Sequence, residues 1–239
     1  MEIIEKIQLL DAWIGKAKDY KERALLVATK TLLLEQAKRI EQDYLKLRLM
    51  LLVIACFLIG LGAKMAASST LGADVVVLVW EGLNRTFGLD MGTSNIIVSL
   101  VFLAITLSIN WRYIGFGTVV GMFLQSFFIE LFDFRVLAEM DIAVKVVAMV
   151  VGIALIAMGC AVYALAELGV GPYIAATLAL HEKFKTSIPK NKFFIDASCV
   201  ITAAILGQWP TIGPVVSLLI SGIIMDQTMV ILKKFLPIK

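Results

Sequence analysis

From Leu49 onward this chain is a series of apolar runs parted by short polar or glycine-marked breaks. The runs are roughly Leu47–Ala67, Gly92–Asn110, Tyr113–Phe134, Ala143–Ala166, Phe193–Gln208 and Ile212–Leu232. A soluble core does not need runs of this length, whereas a helix crossing a bilayer takes about 20 apolar residues. The fifth run is short, so it starts earlier, near Asn191, or is tilted or broken. In lipid each span must satisfy its own backbone hydrogen bonds, which makes helices the default. The runs lack the polar–apolar alternation of a barrel strand. Composition agrees: 60% hydrophobic, 17% charged and a mean hydropathy of +0.90, against roughly half apolar and about a quarter charged in soluble domains.

Lys and Arg set the expected orientation. With the N-terminus in the cytoplasm, the inner side holds ten basic residues in 1–48, Arg112, Lys183, Lys185, Lys190, Lys192, Lys233, Lys234 and Lys239. The outer side holds Arg85, Arg135 and Lys145, and Lys64 lies within the first span. Both termini are therefore expected in the cytoplasm, in a multi-pass protein of the cell membrane. Residues 1–48 carry charge throughout and have no uninterrupted apolar core, unlike a signal peptide.

The chain repeats itself. Ile59-Gly60-Leu61-Gly62 aligns with Ile156-Ala157-Met158-Gly159, Leu71-Gly72-Ala73-Asp74 with Leu168-Gly169-Val170-Gly171, and Ile114-Gly115 with Ile212-Gly213. Each unit is a span, a Gly-marked amphipathic segment and two more spans. Three crossings per unit is odd, so the second unit must be inverted, a plan that recurs in secondary transporters. The expected fold is an all-α membrane protein of six transmembrane helices in two inverted three-helix repeats. A charged helical extension covers 1–46, the first repeat 47–134 and the second 143–236.

The motifs Leu168-Gly169-Val170-Gly171-Pro172 and Ile114-Gly115-Phe116-Gly117-Thr118 resemble those of the YczE/YyaS/YitT type of bacterial integral membrane protein, over about residues 50–235. The chain departs from that pattern at Val75-Val76-Val77, where the family tends to carry Pro-Trp-Asp, and at Ile212-Gly213-Pro214, an incomplete second motif. The resemblance implies the doubled fold more than a function.

Leu71–Phe87 and Leu168–Phe184 are amphipathic and too short and polar to span. They lie in the interface or enter partway and return. Pro172 suits a first helical turn, and Gly72, Gly169 and Gly171 permit tight turns. If re-entrant, these helix starts aim backbone N–H groups and positive dipole ends inward. Such interruptions, at corresponding places in two halves, point to a transporter site.

Ionisable groups within spans are costly and suggest function. Asp226 and Asp196 are the first candidates for a ligand or ion pathway, followed by Lys64, Asp74 and Glu130. Asn95, Gln125 and Gln227 suit hydrogen bonds between helices. The single histidine, His181, excludes a multi-His metal site and leaves no catalytic triad among the spans. Cys56, Cys160 and Cys199 are scattered through apolar runs and form no CxxC pair. No enzyme, cofactor, metal or nucleic-acid partner is expected.

Residues 1–48 show two helical apolar periodicities out of phase, Ile3 to Ala17 and Leu33 to Leu47, with a break expected near Asp19–Ala28. Ten basic against eight acidic residues suits a helix–helix contact more than a polybasic lipid anchor. The expected function is a secondary transporter or channel-like carrier for a small molecule or ion, sited between the repeats and surrounded by lipid. The alternative is a non-transporting scaffold or accessory subunit that forms a homo-oligomer or binds a partner through residues 1–46.

Overall fold

A computed structural model describes residues 2–17 and 19–235, all helical in their regular structure. The chain divides into two compact units, Met1–Arg48 and Leu49–Lys239.

In the first unit, α1 (Glu2–Lys16) ends just after Gly15, and α2 (Tyr20–Ser68) begins after Asp19, whose carbonyl accepts from Arg23 N–H. Since α1 stops at Lys16 and α2 starts at Tyr20, the break falls at the leading edge of the expected interval. Asp is a favoured residue at a helix start. Asp11 pairs with Lys30 across the turn, and Leu10 is buried.

The second unit holds the apolar runs. After α2 come α3 (Val75–Phe87), α4 (Met91–Ile109), α5 (Phe116–Leu131), α6 (Ile142–Ala166), α7 (Pro172–Phe184), α8 (Ile188–Ile205) and α9 (Ile212–Phe235). Short 3₁₀ turns at Trp111–Tyr113 and Arg135–Glu139 join α4 to α5 and α5 to α6. Among the described residues, α2, α4, α6 and α9 are long and apolar enough to cross a membrane; α5 is apolar but shorter, at 16 residues. The fifth expected run starts earlier still, at Ile188: α8 takes in Lys190 and Lys192, charges that a hydropathy reading leaves out.

Small residues let the long helices approach closely. A Cβ on Gly62 would stand 2.5 Å from the carbonyl oxygen of Gly152, and one on Gly152 would stand 2.7 Å from that of Gly62. Gly60 meets α5 at Phe128 and Ile129. Asn95 joins α4 to α5 through Ser126 Oγ at 2.9 Å.

Two joints cross between the first half (α2 from Leu49, to α5) and the second (α6–α9). Gly213 N–H, in the first turn of α9, donates to Leu71 O at 2.8 Å. Gly117 N–H, in the first turn of α5, donates to Leu168 O at 2.7 Å. Each Leu-Gly turn thus receives a helix start from the other half. Gly72 and Gly169 lie at φ +79° and +130°, backbone that favours glycine. By these bonds Gly117, rather than Gly115, holds the place that Gly213 holds in the other joint.

The two short helices lie lengthwise against partners from the opposite half. The Asp74 end of α3 lies within Coulombic reach of Lys192 and Asp196 early in α8. Near its other end, Thr86 Oγ1 donates to Leu206 O at 2.7 Å, so α3 and α8 run in the same direction. The ring of Tyr173 at the start of α7 stands 5.7 Å from that of Phe102 in α4, and Asn110 at the end of α4 donates to Glu182 late in α7 at 2.5 Å. Hence α7 runs with α4.

Candidate functional site

The starts of α3 and α7 converge, and this follows from local chemistry. Asp74 ends its turn in extended backbone, and its Oδ1 accepts from Val76 N–H at 3.0 Å and Val77 N–H at 2.9 Å, which caps α3. The carboxylate therefore occupies N–H groups that were expected to face a ligand. At α7 the cap residue is Gly171, which offers no side chain, and Pro172 fills the first turn. The next residue, Tyr173, donates from its hydroxyl to Asp196 Oδ1 at 2.5 Å.

Asp196 is largely shielded, its side chain 13% exposed. Its other oxygen pairs with Lys192 Nζ at 2.9 Å, one helical turn back. Asp74 acts on Tyr173 and Asp196 through space. The cluster is thus two carboxylates, one ammonium and one phenol where two helix N-termini meet. The positive ends of the dipoles favour the anionic members. Two carboxylates facing one lysine leave the group one negative charge in excess when all are ionised, which suits an exchangeable proton or a cation.

A second polar region lies at the opposite end of α3. There the end of α2, the start of α4, the end of α5 and the α8–α9 loop enclose a cleft of about 840 Å³. Glu130 Oε1 accepts from Gly92 N–H at 2.6 Å, and its Oε2 stands 3.9 Å from Lys64 Nζ. Glu81 Oε2 accepts from Gln208 Nε2 at 2.9 Å. On the rim, Asp133 pairs with Arg135 Nη2 at 3.0 Å, and that guanidinium holds the carboxyl below its ordinary range.

The structure thus brings Asp74 to Asp196, and Lys64 to Glu130. Asp226 is exposed on α9 and makes no hydrogen bond or ion pair to another described residue. Tyr173, Lys192, Glu81 and Gln208 were not singled out as site residues. The four-residue spacing of Lys192 and Asp196 is a signal that would have found that pair. Nothing local marks Tyr173 or Gln208, whose partners lie on other elements.

Among curated proteins, an uncharacterized protein of Haemophilus influenzae is 21% identical over 165 residues, 69% of this chain and 75% of its own. The uncharacterized membrane protein YczE of Bacillus subtilis is 24% identical over 158 residues, 64% of this chain and 74% of its own. No solved structure matches. The apolar helices and the YczE likeness make this a membrane protein, and the motif resemblance to the YczE type holds. Residues 46–230 match a family described as of unknown function, DUF6198, and with most of its length covered this chain belongs to that family.

Proposed function

We propose that the protein is a secondary transporter or channel-like carrier for a small molecule or ion in the cell membrane. In this reading six helices cross as two inverted halves, with both termini in the cytoplasm. The observation that carries it is the meeting of the α3 and α7 N-termini at Asp74, Tyr173 and Asp196. The two short helices run away from that meeting in opposite senses: α3 toward the cleft lined by Met91 at the start of α4, and α7 away from it, alongside α4. The reciprocal joints at Leu71–Gly213 and Leu168–Gly117 support the inverted arrangement. Broken helices whose ends face ionisable groups are the usual way to hold an ion or a charged solute at membrane depth. Asp196 and Asp74 are the groups assigned to the moving proton or ion. The proposal includes no catalytic step.

Reconstitution into liposomes with a trapped pH dye tests this. Solutes supplied outside should drive a pH change that Asp196→Asn abolishes and Asp226→Asn leaves intact. Uptake with unchanged pH dependence in both Asp196→Asn and Asp74→Asn would overturn the assignment. Properly folded vesicle protein that moves no solute or ion would overturn the carrier reading itself.

A further inference from the structure

The cleft at the far end of α3 is set apart by which of its charges are already satisfied. Asp133 and Arg135 neutralise each other on the rim. Glu130 is fixed by Gly92 N–H and faces Lys64. Asp90, also on the lining, accepts from Thr93 Oγ1 at 3.0 Å; on α3, Glu81 and Arg85 remain. They stand four residues apart on one face of α3, both lining the cleft. A Glu and an Arg at this spacing ordinarily pair. Here they do not: Glu81 turns to the neutral amide of Gln208, and Arg85 makes no hydrogen bond or ion pair to another described residue. One wall of the cleft therefore presents the Glu81 carboxyl, which burial pushes up to about 7 and which has no cation partner among the described residues, beside an unpaired guanidinium, with the Lys64 ammonium also lining it.

We propose that this cleft binds a small zwitterion carrying an ammonium and a carboxylate, from an amino acid to a short peptide. Its ammonium sits on Glu81, and its carboxylate sits on Arg85 with Lys64 adding positive charge. The guanidinium fork matches a carboxylate in two parallel hydrogen bonds, which a single ammonium cannot do. Gln208 holds one oxygen of Glu81 and leaves the other open. At about 840 Å³ the cleft is within the range of small-molecule sites, roughly 300–1,000 Å³, and is large enough for more than one residue of a peptide. The choice of substrate class rests on the carrier reading, but the binding step does not.

Calorimetry on the purified full-length chain in detergent tests it, with each common amino acid and trialanine as probes and with acetate and ethylamine as single-charge controls. At least one zwitterion should bind saturably, at least about tenfold more tightly than either control. Glu81→Gln and Arg85→Gln should each weaken it by at least about tenfold. Arg85 is exposed, so its variant should keep the wild-type melting temperature and separate lost binding from lost folding. Binding of none of these zwitterions, equal binding of acetate or ethylamine, or wild-type affinity in both variants would overturn the proposal. Zwitterion binding without uptake in liposomes would keep the site and end the carrier reading. Uptake without zwitterion binding would do the reverse.

Discussion

The hydroxyl of Tyr173 reaches Asp196 at 2.5 Å and so ties the first turn of α7 to α8. Tyr173→Phe leaves a shielded carboxylate short of one donor. The expected loss is about 1–3 kcal/mol, read as a lower midpoint of thermal unfolding in detergent. The Lys192 partner is half exposed, so Lys192→Met should cost less, about 0–1 kcal/mol. A larger loss from Lys192→Met than from Tyr173→Phe would contradict this ranking.

The glycine contact between α2 and α6 makes a second prediction. Gly152→Ala places a methyl 2.7 Å from Gly62 O and 2.8 Å from Ala66 Cβ, so the helices must part. Overpacking of this kind costs about 1–3 kcal/mol. Gly222 in α9 has nothing within 4 Å of an added Cβ. Gly222→Ala should be neutral, or stabilising by up to about 1 kcal/mol through helix propensity. Equal melting temperatures for the two variants would refute the contact.

The charge asymmetry predicts which side each loop faces. In a background without its three cysteines, Glu5→Cys and Lys234→Cys should resist an impermeant thiol reagent in intact cells. Ala138→Cys, between α5 and α6, should react. The opposite pattern would reverse the topology.

The rim pair predicts a titration. The Arg135 guanidinium holds Asp133 below its ordinary value of 3.8. Because the folded value is the lower one, the pair is fully present above the unfolded value and is lost only as pH falls through the folded one. Carboxyl NMR should show Asp133 titrating below an ordinary aspartate and returning to the usual value in Arg135→Gln. An unshifted Asp133 in the parent chain would remove the pair.

The elements were legible in the sequence where apolar periodicity is strong. Both amphipathic segments end where expected, at Phe87 and Phe184, and each is closed by a residue in left-handed backbone, Gly88 at φ +68° and Lys185 at φ +52°. The start of α8 was not legible, because Lys190 and Lys192 interrupt the hydropathy signal while leaving helix geometry intact. The candidate site was legible only in part. Asp196 stood out as a charge within an apolar run, but so did Asp226, and composition alone does not separate a shielded carboxylate from an exposed one. The meeting of Asp74 with Asp196 depends on α3 of one half lying along α8 of the other, a pairing that no local pattern encodes.

The two joints also constrain the order in which the chain can be completed during synthesis. Gly117 is made well before Leu168, so α5 emerges with no acceptor for that first-turn N–H. Leu71 waits longer still, until Gly213 leaves the ribosome. Neither Leu-Gly turn can be finished by its own half. A nascent chain stalled after α5 should remain open to proteases at the Leu71-Gly72 turn, and closure there should come late, when the start of α9 arrives.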